Sequence, residues 1–253
     1  MKIAVCVKAV PDAASGRRID PAAFRLDRSG EPVLSDYDTH PVEEALKLKE
    51  AAGDGEVVVL SMGPERTMDA LRKALAMGAD RAVLITDEAL AGSDLLGTAK
   101  ALAAALEQEG ADLILFGQQS ADGDGACLWA AVAEFLRRPA ISQVSELSVS
   151  DGTLTGKRQT EYGYDTIRAP LPAVVAVSDA INVPRYPSLK GIMGAKKKPQ
   201  ELKSAADVGG AVPPRTSVLA LHPPPARGEA RRIEDNGSAA EQIVEFLTEK
   251  RLA

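Results

Sequence analysis

The chain has 253 residues, 45% of them hydrophobic and 26% charged, a balance that supports one ordinary globular core with room for an extended tail. A formal net charge of −6 and only 4% aromatic residues leave neither a basic face nor a set of base-stacking platforms, so nucleic acid is not an expected partner. The cysteines, Cys6 and Cys127, and the histidines, His40 and His222, are too few and too scattered for a disulfide framework or a zinc cluster.

No run approaches the roughly 18 consecutive apolar residues that cross a bilayer, so no membrane insertion is expected. The first residues, Lys2 to Val7, carry no signal-peptide pattern, and a cytoplasmic location is expected. Up to about Arg138, short apolar runs at Ile3–Val7, Val57–Leu60, Ala82–Ile85 and Leu113–Phe116 alternate with helical spacing. That alternation predicts an α/β fold: a Rossmann-like parallel sheet, buried on both faces, with helices on both sides.

The first helix is expected to start at Pro41 and carries Val42, Ala45, Leu46 and Lys49 at helical spacing. The second carries Leu71, Ala74 and Leu75 and ends at Gly78 in a left-handed conformation. The third takes Ser93 as N-cap, turns Leu95, Leu96, Ala99, Leu102, Ala103 and Leu106 inward, and stops at Gly110. A fourth covers Cys127–Leu136. Around Ser142 the texture changes to polar-faced strands at Val144–Val149, Leu154–Thr160 and Thr166–Ile167, with an Asp151-Gly152 turn, an antiparallel hairpin extension. Pro172–Val177 is a continuous apolar run and returns to the main sheet. Beyond Asn182 regularity is expected to fail: Pro184–Gln200, Gly209-Gly210, Pro213-Pro214 and Pro223-Pro224-Pro225 resist a compact core, and only Ser238–Leu252 reads as a helix. A long irregular tail on a compact domain points to docking.

In an open parallel sheet, ligands sit beyond the carboxyl ends of the strands. Four segments fall there: Cys6–Lys8; Ser35, Asp36, Tyr37 and Asp38; Ser61-Met62-Gly63; and Gly117–Leu128. The last contains Gly117, Gln118, Gln119, Ser120, Asp122, Gly123, Asp124, Gly125 and Ala126, then Cys127 and Leu128 at the helix start. Glycines let backbone N–H groups approach an anion, and the helix dipole adds roughly half a positive charge. A Gly-Asp-Gly stretch in a loop is more often merely a turn. Neither the phosphate loop ending in Gly-Lys-Ser/Thr nor the dinucleotide glycine fingerprint is present, so binding without hydrolysis is the expectation. Cys6 and Met62 read as pocket wall, Asp36 and Asp38 as helix caps, the Glu43-Glu44 pair as solvated, and His40 as a surface helix-start residue.

The segment Val183-Pro184-Arg185-Tyr186-Pro187-Ser188-Leu189-Lys190-Gly191-Ile192-Met193-Gly194-Ala195-Lys196-Lys197-Lys198 closely resembles the signature of electron transfer flavoprotein beta subunits. The likeness extends to Val7–Asp12, Val42–Ala45, Gly63-Pro64, Ala74–Asp80 and Leu171–Val174, in order along the chain. The resemblance implies an adenine nucleotide alpha hydrolase-like domain over residues 1–183 and a recognition loop and C-terminal arm over 184–253, the arm docking on an alpha subunit. It implies a heterodimer in which the FAD is shared with that alpha subunit. The beta subunit then holds AMP, or in electron-bifurcating members a second FAD, contacted by Cys6, Ser35–Asp38, Met62 and Gly117–Leu128.

By the same resemblance, the loop carrying Arg185, Tyr186, Leu189, Ile192 and Met193 docks acyl-CoA or related flavin dehydrogenases, with Leu189 as the anchor. Electrons would continue to a quinone oxidoreductase or a low-potential carrier. Asp165 stands where relatives carry a glutamate facing an alpha-subunit arginine; otherwise it is a hairpin surface charge. Leu189 and Ile192 alternatively pin the tail to its own domain, and Lys196-Lys197-Lys198 reads as a solvated charge run. The stretch Gly125-Ala126-Cys127-Leu128-Trp129-Ala130 matches neither the Asn-x-Thr-Gly-Gln of AMP-type members nor the Thr-Ala-Gln-Val-Gly-Pro of bifurcating ones, although Asp122-Gly123-Asp124 leans to the latter. The expected role is electron transfer, not catalysis by this chain alone; NADH-oxidising bifurcation would need the alpha subunit. The alternative is a stand-alone adenine-nucleotide-binding enzyme or sensor, which requires a phosphate-cleaving lysine or magnesium carboxylates that the sequence does not mark.

Overall fold

The computed structural model describes residues 1–222, 224–226 and 230–252; Pro223 of the proline run lies outside them. Strands of the main sheet are β1 (Lys2–Cys6), β2 (Glu56–Met62), β3 (Arg81–Ile85), β4 (Leu113–Gly117), β5 (Ala140–Ser150), β6 (Thr153–Thr160), β7 (Gly163–Pro170), β8 (Ala173–Val177) and β9 (Gln200–Lys203). Helices are α1 (Asp36–Ala52), α2 (Thr67–Met77), α3 (Leu95–Glu109), α4 (Leu128–Leu136), α5 (Leu189–Ala195) and α6 (Ala239–Glu249). The sheet runs β7-β6-β5-β8-β4-β1-β2-β3-β9. Neighbours from β5 to β9 are parallel, and only the β5–β6 and β6–β7 ladders are antiparallel.

Alternate residues of β1 enter two separate apolar layers. Ile3 and Val5 pack with α1 and α2, whereas Ala4 and Cys6 pack with α3 and α4. The central strands are therefore apolar on both faces, and β4 and β8 are buried throughout. Each fully buried leucine or isoleucine contributes about 1.5–3 kcal/mol. The helices on both faces and the hairpin extension agree with the pattern read from the sequence.

Several boundaries differ from expectation. Helix α1 starts at Asp36 and carries Pro41 inside it. Because proline has no N–H, the carbonyl of Tyr37 loses its helical partner. Asp94, not Ser93, caps α3, accepting from the Gly97 N–H at 2.9 Å, and Leu95 and Leu96 remain exposed while Ala99 to Leu106 supply the buried face. Gly78 ends α2 at φ 143°, outside the left-handed helical geometry that Gly110 adopts at φ 60°.

The larger correction lies beyond Asn182. One compact unit spans Met1–Ser217, and in it α5 packs on α2 while β9 pairs with β3 through Gln200↔Ala82 to Lys203↔Ile85. An edge strand has one neighbour only, so the polar Gln200-Glu201-Leu202-Lys203 carries no apolar run for sequence reading to find. Lys198 is not a solvated charge: its Nζ donates to the carbonyls of Leu75 at 2.9 Å and Ala79 at 2.5 Å, at the open end of α2. The second unit, Val218–Ala253, contains α6.

Gly191 sets the distance between α5 and α2. A Cβ there would lie 2.3 Å from the Ala76 carbonyl oxygen, a backbone atom that cannot swing aside. Gly191→Ala is expected to destabilise the protein by about 2 kcal/mol, read as a lowered urea midpoint; an unchanged midpoint would show that α5 is not closely seated.

Candidate functional site

From β1 the chain passes through α1 to β2 and then β3 on one side; α3 carries it back to β4 on the other side of β1. The order reverses between β1 and β4, and a crevice opens beyond their carboxyl ends. The cleft there measures about 640 Å³. Of the residues singled out in sequence, Cys6, Asp38, Met62, Gly117, Gln119, Ser120, Gly125 and Leu128 line it. Ser35 is buried beside it, whereas Asp36, Gly123, Asp124, Ala126 and Cys127 are exposed and do not line it. Tyr37 is half-buried and its Oη accepts from Gln119 Nε2 at 3.1 Å. Gln118 faces a separate polar cavity of about 450 Å³ with Gln143 and Gln159.

Asp38 is more than a helix cap. Its carboxylate accepts the Lys8 N–H at 2.7 Å and lies against Gly117, setting the start of α1 beside the ends of β1 and β4. Gly117 permits that approach, since a Cβ would lie 2.7 Å from Asp38 Oδ1 and 2.8 Å from the Tyr37 carbonyl oxygen. Burial pushes the Asp38 carboxyl up to about 7, against the pull of the Lys8 N–H and the Lys8 charge. Burial, and then the nearby Asp38, push the Cys6 thiol far above its usual range, so Cys6 is a wall and not a nucleophile.

The loop before α4 supplies Asp122, whose side chain is 2% exposed and pairs with Lys8 Nζ at 2.9 Å and with Arg28. No side chain caps α1 at Ser35 or α4 at Cys127, and the buried Ser35 Oγ has no partner among the described residues. The cleft wall also includes Arg25, Arg28, Arg66 and Trp129, which sequence reading did not single out. Arg25 and Arg28 come from residues 9–34, an excursion held by two short hairpins, Ala9–Pro11 with Pro32–Leu34 and Ile19–Asp20 with Arg25–Leu26. Two- and three-residue strands leave no periodicity to detect.

On the opposite flank of α1, Glu43 and Glu44 are buried, not solvated. Arg185 Nε donates to Glu43 Oε2 at 2.7 Å and its Nη1 to Glu50 Oε1 at 2.6 Å; Asn182 Nδ2 donates to Glu44 Oε2 at 2.9 Å. His40, half-buried, has Nδ1 3.2 Å from the Asn182 carbonyl oxygen. Beyond this clasp Tyr186 (96% exposed), Leu189 (80%), Ile192 and Met193 point outward, and Ala195 provides the buried contact. Leu189 and Ile192 therefore do not pin the tail. Asp165, exposed on β7, stands across the ladder from Arg158, whose Nε is buried with no partner among the described residues.

Among the described residues there is no group of three or more metal-ligating side chains, and no helix is long and apolar enough to cross a membrane. A doubly wound α/β domain with a cleft at its switch point is a ligand-binding class of fold. The family model for the electron transfer flavoprotein domain matches residues 24–208. The chain is 41% identical to the electron transfer flavoprotein subunit beta of Mycobacterium tuberculosis strain H37Rv, covering 99% of this chain and 98% of that one. It is 36% identical to the subunit beta of Megasphaera elsdenii, covering 100% and 98%, and 35% identical to the caffeyl-CoA reductase-Etf complex subunit CarD of Acetobacterium woodii, covering 99% and 97%. The chain belongs to the electron transfer flavoprotein family, among its beta subunits.

The Asp38 carboxyl is held above its ordinary value of 3.8, so the stability it contributes is complete below about 3.8 and is lost as pH rises toward 7. The stability of the protein relative to its Asp38→Asn variant is expected to fall across that window and level off above it, measured by urea unfolding at a series of pH values. A difference independent of pH would mean that Asp38 titrates as if in water.

Proposed function

We propose that the cleft holds an adenine nucleotide, AMP or a second FAD, and that the chain works as the beta partner of an FAD-carrying alpha subunit. The observation that carries this reading is the convergence at one switch point of two uncapped helix starts, a buried Ser35 hydroxyl unpartnered among the described residues, and the cations Lys8, Arg25, Arg28 and Arg66. Anionic phosphates suit the helix starts and the cations, and the apolar walls at Met62, Leu128 and Trp129 suit a base or ring. A bound flavin supplies the redox chemistry. The chain's own part is to hold it, keep water from it and present it to the partner; no buried nucleophile is offered at the cleft floor, where Cys6 stays a thiol.

The exposed Tyr186, Leu189, Ile192 and Met193 form an apolar surface supported from behind by Arg185 and Lys198. Such a surface suits brief docking of an acyl-CoA or related flavin dehydrogenase, with electrons leaving to a quinone oxidoreductase or low-potential carrier. The name of the Acetobacterium relative, which places it in a complex with a reductase of a CoA thioester, supports that partner class. Asp165 meets an alpha-subunit arginine in this reading, and the assembly is cytoplasmic.

Heat-denaturing the purified heterodimer and quantifying released nucleotides tests the cofactor reading. One FAD with one AMP indicates a simple carrier and two FAD a bifurcating one; one FAD with no second nucleotide contradicts the proposal. Leu189→Ala is expected to slow reduction by the dehydrogenase about tenfold while bound cofactor stays constant; loss of cofactor would argue against a docking role.

A further inference from the structure

The excursion over residues 9–34 forms one wall of the cleft through Val10, Arg25, Leu26, Arg28 and Pro32. Its stem is fixed: Val10 and Leu34 are buried, and Ala9↔Leu34, Val10↔Val33 and Pro11↔Pro32 pair. Beyond the stem the character changes. Every side chain described between residues 14 and 31 is exposed or half-buried, so no apolar core holds this part down.

Polar ties to the opposite wall hold it instead. Arg28 and Lys8 meet on the Asp122 carboxylate, and Arg17 donates to the carbonyl of Ala121 in the same loop. Arg25 donates to the Gly92 carbonyl at 3.2 Å, and Arg66 of the far wall donates to the Ser29 carbonyl at 3.2 Å. Of these partners only Asp122 is charged and buried. Burial pushes its carboxyl up, but Lys8 and Arg28 outweigh that and hold it at about 2.

We propose that residues 12–31 are a lid over the cleft, hinged on the paired stem and latched by Asp122, so that a nucleotide enters or leaves only when the Lys8–Asp122–Arg28 clasp parts. This rests on the cleft being the nucleotide site. The geometry fits a latch because the ties cross from one wall of the cleft to the other, and because Lys8, at the hinge, and Arg28, on the lid, share one anion. Removing the anion leaves two cations facing each other and turns the tie into a repulsion.

The test uses the complete heterodimer, loaded with radiolabelled AMP or radiolabelled FAD and chased with the unlabelled compound. Asp122→Asn is expected to release the retained probe about tenfold faster, and trypsin is expected to cut after Arg17 and Arg18 faster with no nucleotide added. Arg28→Gln removes the lid's half of the clasp, should shift both readouts the same way, and carries the test if Asp122→Asn does not fold. Wild-type complex that retains neither probe overturns the nucleotide reading and the lid with it. Retention with unchanged release in the variants overturns the latch alone, and faster release without faster cleavage reduces Asp122 and Arg28 to direct supports of the ligand, which also overturns it.

Discussion

A buried carboxylate bridging three chain segments is the constraint on which the site depends. Asp38 sits in the first turn of α1, accepts the Lys8 N–H just beyond β1 and lies against Gly117 at the end of β4, the two strands between which the sheet changes direction. Without it, the Lys8 amide would lose its acceptor, at a cost of about 1–3 kcal/mol. The same approach forces Gly117, and Pro41 removes the helical donor to the Tyr37 carbonyl beside it. The cleft floor is thus assembled from an acid in the first turn of α1 and a glycine at the end of β4, far apart in the chain.

The parts of the fold legible in the sequence are those governed by burial. Strands β1 to β4 and β8 are apolar on both faces, and the four central helices carry a clear apolar stripe. Illegible parts are held by polar contacts or by a single neighbour. Strand β9 is an edge strand of four mostly polar residues, and the excursion over residues 9–34 is fastened by arginines, which announce themselves in sequence only as ordinary surface charge. The Gly117–Leu128 loop was visible from its glycines, but that Gly125 and Leu128 line the cleft while Gly123, Asp124 and Cys127 face solvent depends on how the loop folds over Asp122.

Rigid support beneath an exposed apolar tip recurs on the outer face of α1 and α2. Glu43 and Glu50 grip Arg185, Glu44 holds Asn182, and Lys198 closes the end of α2. These contacts absorb Asn182, Arg185 and Lys198 and leave Tyr186, Leu189, Ile192 and Met193 outward. A surface held this way loses little freedom on binding, which favours fast, reversible encounters.

The central claim is that the crevice between β1 and β4, built by Asp38 and Gly117, is where this subunit carries its nucleotide. An experimental structure of the heterodimer bears on it most directly. The account predicts density for an adenylate between Cys6, Asp38 and Gly125, against the starts of α1 and α4. Density for the nucleotide elsewhere on the subunit, with that crevice filled by protein side chains, would contradict it.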